Sequence, residues 1–208
     1  MKYERYLFKK VLSSLDSGKA LMIVGPRRVG KTVLLKLLKK STGREILSLN
    51  GEDPATLSLL AGKTLLQYKQ LLGTARILMI DEAQKIPNIG SIIKLMLDEI
   101  EGLTAVLTGS SAFDLHHQFG EPLTGRKKTF RMYPLTFSEF STHETALETE
   151  SLLEEKLLFG GYPEVWQYET REEKSDYLIE LSNDYLYRDI LTLDQIRNAK
   201  KLQDILRL

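Results

Sequence analysis

Apolar residues recur at helical spacing in YERYLFKKVLSSLDS, residues 3–17, and stop at Gly18, a residue type that ends helices readily. The pattern then changes to ALMIVG (20–25), a short unbroken apolar run expected of a strand buried on both faces. KTVLLKLLKKSTG (31–43) returns to helical spacing and closes on Gly43. REILSLN (44–50) reads as a second strand, and PATLSLLAGKTLLQYKQLLG (54–73) as one or two helices broken near Gly62. RILMIDE (76–82) is a third strand running straight into two carboxylates. A helix is expected over 91–100, a fourth strand at LTAVLTGSS (103–111), and a fifth from the alternation in RKKTFRMYPL (126–135). Strand and helix thus alternate from residue 20 to 135, which predicts a parallel sheet covered by helices on both faces.

Beyond PLTFSEF the pattern is almost wholly helical and is interrupted at GGYP (160–163). The final KKLQDILRL carries no capping glycine, proline or polar tail, so it reads as a helix cut in the middle of a longer protein. The expected organisation is a core over 1–135 and a helical part over 136–208. Charge follows the same division. Up to Leu135 there are 21 Lys and Arg against 12 Asp and Glu, and from Thr136 onward 8 against 16, within a net charge of +1. A basic front and an acidic back suggest two pieces with different surfaces or partners.

The 208 residues suffice for one full-sized domain and a small second one. There is no cysteine, which excludes disulfides and cysteine-held metals and fits a reducing compartment. MKYERYLFKK interleaves charges with aromatics and lacks an apolar signal region, and no apolar run approaches the roughly 18 residues a membrane span needs. A soluble, cytoplasmic protein without membrane contact is expected.

Candidate chemistry begins at GPRRVGKT (25–32), placed between an apolar strand and a helix. Gly25 and Gly30 let a tight loop bring its backbone N–H groups up to phosphate oxygens without Cβ atoms in the way. Pro26, Arg27, Arg28, Val29 and Val33 complete the cradle, with the two arginines expected to face solvent or a partner. Lys31 is positioned to reach the β- and γ-phosphates, and Thr32 to place its hydroxyl on Mg²⁺. The third strand delivers Asp81 to the sheet edge where ligands bind in open α/β folds, as a second holder of Mg²⁺. Glu82 follows directly, suited to orient and polarise an attacking water. LTGSS ends the fourth strand, expected between the phosphate-loop and Asp81 strands, with Thr108 or Ser110 available to the γ-phosphate or the water. Arg126 has two readings: a charge-stabilising arginine for its own or a neighbouring subunit's nucleotide, or one of a surface cluster with Lys127, Lys128 and Arg131. His116 and His117 complete no metal set and read as surface residues, while Tyr162 and Trp166 read as packing. No Asn-Lys-x-Asp guanine reader is present, so ATP is the expected nucleotide. The basic clusters at Lys36, Lys39 and Lys40 and around Arg126 also admit a nucleic-acid-associated module using ATP as a conformational ligand. A slowly hydrolysing signalling scaffold shares the same motifs.

In order, GPRRVGKT, LMIDEAQKIPN, LTGSSA, LTGR, YPLTFSEF and GGYPEV resemble a prokaryotic family of AAA-type P-loop ATPases whose members carry a separate C-terminal domain of unknown function. The resemblance implies an α/β P-loop NTPase three-layer sandwich with a mainly parallel five-stranded sheet, followed by an α-helical lid/linker. It implies Lys31 and Thr32 as phosphate and magnesium contacts, Asp81 as the Walker B acid, Glu82 as catalytic carboxylate and Ser110 as sensor. It implies chemistry without biology, since substrates and partners are largely undefined across the family; Mg-ATP hydrolysis is expected, with an oligomer and a nucleic-acid or protein partner through a missing C-terminal region left open.

Overall fold

The structure is a computed structural model describing residues 3–110, 123–142 and 144–183. These divide into two compact units, 1–145 and 146–208. The first opens with α1 (Tyr6–Leu12) and continues as β1 (Ala20–Val24), α2 (Lys31–Thr42), β2 (Ile46–Asn50), α3 (Pro54–Leu60) and α4 (Leu65–Leu72). It goes on through β3 (Ile77–Asp81), a 3₁₀ turn (Ala83–Lys85), α5 (Ile89–Glu99), β4 (Thr104–Gly109), β5 (Lys127–Arg131) and α6 (Phe137–Ser141). All five strands are parallel, in the order β2-β3-β4-β1-β5.

The unbroken apolar runs form the interior strands because both faces of those strands are covered. Ala20, Met22 and Val24 of β1, Leu78 and Ile80 of β3, and Ala105 and Leu107 of β4 join one core cluster with Leu60, Tyr68, Ile93 and Met96 from α3, α4 and α5. The intervening Leu21, Ile23, Ile77 and Met79 are buried too, together with Val11, Leu34 and Leu38 of α1 and α2, which cover the other face. Each such aliphatic side chain contributes about 1.5–3 kcal/mol by leaving water. β2 and β5, at the two edges of the sheet, are half-buried or exposed except at Phe130.

Register sets what meets at the carboxyl edge. Asn50 stands beside Asp81, Ile80 beside Leu107, Thr108 beside Ile23, and Val24 beside both Gly109 and Arg131. The tips of all five strands are therefore level, with the phosphate loop rising from β1 and the acids from β3. α6, grouped by the sequence reading with the helical part, belongs to the first unit. Its buried Glu139 pairs with Arg5 ahead of α1.

The second unit contains α7 (Ala146–Ser151), α8 (Leu153–Phe159), a 3₁₀ turn (Val165–Gln167) and α9 (Arg171–Leu181). Phe159, Val165, Tyr177 and Leu181 form its core, with Tyr162, Trp166 and Leu178 packed against them. Trp166 Nε1 donates to the Gly160 carbonyl at 3.0 Å, so GGYP is a packed corner between helices. His116, His117, Ser111 and the terminal KKLQDILRL lie outside the described residues. Among the described residues, no helix is long and apolar enough to cross a membrane.

Candidate functional site

The phosphate loop is held from beneath. A Cβ on Gly25 would lie 2.0 Å from the Met132 carbonyl oxygen, and Met132 N donates to Val24 O at 2.7 Å, so the loop leaves β1 pressed against the end of β5. That close approach is why position 25 takes a glycine. Arg28 (φ 59°) and Gly30 (φ 99°) both adopt the left-handed conformation, and Gly30 caps α2. Left-handed residues alternating with right-handed ones turn successive N–H groups to one side and form an anion-binding nest. Val29 between them is fully buried, Arg27 is half-buried, and Pro26 and Arg28 are exposed, while Val33 faces outward on α2.

Lys31 is 5% exposed, and its Nζ donates to the carbonyls of Gly25 (2.9 Å) and Pro26 (2.8 Å). Its charge is thus folded back over the loop rather than spread into solvent. Thr32 Oγ1 donates to Asp81 Oδ2 at 2.6 Å. This bond joins the end of the loop to the tip of the acid strand. A hydroxyl and a carboxylate in direct contact make a pair of hard oxygen donors, the chemistry that suits Mg²⁺ and not a softer metal.

Asp81 and Glu82 are half-buried. The Thr108 hydroxyl donates to Asp81 Oδ1 and accepts from Glu82 N at 3.0 Å. Thr108 is fully buried and takes this place because the β3–β4 register sets it level with Asp81. Glu82 itself is left-handed (φ 50°), an uncommon state for a non-glycine residue. Gln84 Nε2 donates to Glu82 Oε2 at 2.5 Å and to Ser110 Oγ at 3.3 Å. Ser110 therefore reaches the acids through Gln84, and Thr108 touches them directly.

Two contributors were missed by sequence reasoning. Gln84 falls outside the paired acids that drew notice. Gly51, just after β2, donates its N–H to Asp81 O at 2.8 Å, and a Cβ there would lie 2.3 Å from Glu82 O. Its only signal in the sequence is a glycine following a strand.

Arg126 requires a correction. It precedes β5, and its carbonyl accepts from Ala20 N at 2.8 Å, which puts it at the amino edge of the sheet, opposite the phosphate loop. Its guanidinium is paired with the Asp98 carboxylate of α5. Action on the nucleotide of its own chain is therefore excluded by the direction of the strand. The basic clusters also separate. Lys36 and Lys39 line a groove of about 560 Å³ beside β2 that opens at Thr32 and Asp81, whereas Lys127, Lys128 and Arg131 lie on β5 at the far edge.

A phosphate nest, a loop lysine, and a threonine bonded to the aspartate of the neighbouring acid strand, all on a 2-3-4-1-5 parallel sheet, define a P-loop NTPase of AAA type. Residues 17–141 match the model of the AAA domain family, more than half of the chain, and the protein belongs to that family. Its function is accordingly ATPase-like nucleotide binding. Residues 150–208 match a domain of unknown function (DUF8612). A domain of unknown function is thus present within 136–208, the stretch expected as lid and linker ahead of a missing domain. The chain is 28% identical over 204 residues to the uncharacterized protein MJ1544 of Methanocaldococcus jannaschii, covering 91% of this chain and 46% of that protein. It is 25% identical over 181 residues to the uncharacterized protein Rv2008c of Mycobacterium tuberculosis, covering 86% and 38%. The chain thus spans less than half the length of these relatives. Among solved structures it is similar to the Walker-type ATPase PABY2304 of Pyrococcus abyssi, with a TM-score of 0.60, 15% identity, and coverage of 92% of this chain and 75% of that one. This likeness concerns the fold.

Proposed function

We propose that the chain binds Mg-ATP in the phosphate loop and hydrolyses it as a conformational switch or motor. The observation that carries this reading is the 2.6 Å bond between Thr32 and Asp81, which makes the loop and the acid strand one site. The nest N–H groups and Lys31 hold the β- and γ-phosphates, Lys31 by leaving the carbonyls of Gly25 and Pro26. Thr32 and Asp81 hold Mg²⁺, which when bound neutralises phosphate charge. Glu82 orients and polarises the attacking water, and Gln84 and Thr108 fix its carboxylate and backbone. Ser110 senses the γ-phosphate through Gln84. Glu82 directly after Asp81 favours hydrolysis over phosphoryl transfer to an acceptor, and the lack of an Asn-Lys-x-Asp guanine reader favours ATP over GTP.

MJ1544 and Rv2008c extend well beyond the stretch they share with this chain. Phosphate release should be measured for the wild type, Lys31→Ala and Glu82→Gln, with ATP binding followed in parallel. Turnover in the wild type, loss of binding in Lys31→Ala, and retained binding with turnover down about 10²-fold or more in Glu82→Gln are expected. Equal background rates in all three would remove the hydrolytic reading.

A further inference from the structure

Arg5 lies ahead of α1, far in sequence from every motif, yet its side chain is only 3% exposed. Its Nη1 donates to the carbonyl of Val29 in the phosphate loop at 3.2 Å, and its Nη2 to the carbonyl of Tyr133. Its Nε stands 3.2 Å from Glu139 Oε1, and Glu139 is 4% exposed. Both Glu139 oxygens are otherwise engaged: Oε1 accepts from Tyr6 N at 3.0 Å and Oε2 from Thr136 N at 3.0 Å. Glu139, the third residue of α6, thereby closes the capping box that Thr136 opens.

Burying two charges costs several kcal/mol for each ion, and a well-packed apolar pair commonly serves stability as well or better. The use of this pair therefore calls for a reason in what it touches. Val29 sits between two left-handed residues, Arg28 and Gly30. A non-glycine residue in that conformation persists only where its surroundings enforce it. Met132 supports the loop from below at Gly25 and Gly30. The Arg5 guanidinium grips the carbonyl at its turning point.

We propose that Arg5, itself oriented by Glu139, is a positioning residue for triphosphate binding, acting through the Val29 carbonyl to hold the loop N–H groups in their phosphate-facing arrangement. This rests on the reading of residues 25–32 as the triphosphate site. The pair ties together the segment before α1, the loop and the helix after β5, so three parts of the chain share one buried charge contact. Arg5→Lys keeps a cation for Glu139 but cannot bond Val29, Tyr133 and Glu139 together, because an ammonium lacks the planar fork. Arg5→Met with Glu139→Leu removes both charges while keeping apolar volume, at the cost of the acceptors for Tyr6 N and Thr136 N, so affinity is read on the folded protein.

The test is the affinity for Mg²⁺ with a non-hydrolysable ATP analogue, in the wild type, Arg5→Lys and the double variant. It is measured well below each melting temperature, with the melting temperatures recorded. The expected result is a double variant that melts below the wild type, because Tyr6 N and Thr136 N lose their acceptors, yet is folded at the assay temperature and binds about tenfold or more weakly, as angstrom-scale misplacement of a site produces, with Arg5→Lys intermediate. A folded double variant, or a folded Arg5→Lys if the double variant does not fold, that binds like the wild type would overturn the assignment. A wild type that binds no analogue would instead overturn the reading of the loop itself, and the inference with it.

Discussion

Gly51 and Gly62 separate two reasons for a glycine. At Gly51 a Cβ would press to 2.3 Å from Glu82 O, against backbone that cannot swing away. At Gly62 the backbone is left-handed (φ 61°), but a Cβ would meet nothing. Gly51→Ala is therefore expected to cost about 1–3 kcal/mol by overpacking and to slow phosphate release, since it displaces the peptide that follows Glu82. Gly62→Ala should cost about 1 kcal/mol and leave nucleotide affinity unchanged. Urea denaturation, ATP titration and phosphate release of both variants check this, and equal rates of phosphate release in the two would count against the role given to Gly51. At this scale the sequence displayed what is local. Lys31, Thr32, Asp81 and Glu82 stand in contiguous motifs, and the structure brings them together. What depended on register was not readable. Thr108 and Ser110 are both hydroxyls two residues apart, and the level of β4 against β3 is what sets Thr108 on Asp81. Arg5 and Glu139, 134 positions apart in a 208-residue chain, carry no pattern that links them.

Among the elements, the strands follow the sequence expectation closely because burial on both faces leaves a plain apolar run. Helix ends depend on caps. α3 starts at Pro54 behind an Asp53 cap, and α4, α6 and α9 start at the capping boxes Thr64/Gln67, Thr136/Glu139 and Thr170/Glu173. α1 is shorter than its apolar spacing suggested, ending at Leu12 in turns through Ser17, and α5 begins earlier, at Ile89 behind a left-handed Asn88. In the second unit, Lys174 Nζ donates to Glu155 Oε2 at 2.8 Å and lies 4.8 Å from the Trp166 ring centroid. The Lys174 bond, with help from Arg171, holds the Glu155 carboxyl below its usual range. A carboxyl depressed in the folded state stabilises fully above its unfolded pKa, and that contribution is lost as pH falls through the folded value. The melting temperature should therefore fall on acidification below the ordinary carboxylate range, and Glu155→Gln should melt lower at neutral pH with a smaller acid-dependent drop. Parallel melting curves for wild type and variant would contradict this contribution.

For the whole molecule, the 2-3-4-1-5 order gathers the nucleotide chemistry at one edge of the sheet and leaves Arg126 with Asp98 at the other. Strand direction alone decides that outcome, since a residue preceding a parallel strand lies at the edge away from the ligand. The uneven charge seen in the sequence maps onto two units, the first containing the AAA domain match and the second the domain of unknown function. The central claim is that the loop on β1 and the acids on β3 serve one magnesium-bound triphosphate. Titrating ATP with and without Mg²⁺ into the wild type and Asp81→Asn tests it most directly. The account predicts that Mg²⁺ tightens ATP binding in the wild type and that Asp81→Asn loses most of this gain while keeping its magnesium-free affinity. The same magnesium-dependent gain in both proteins would contradict it.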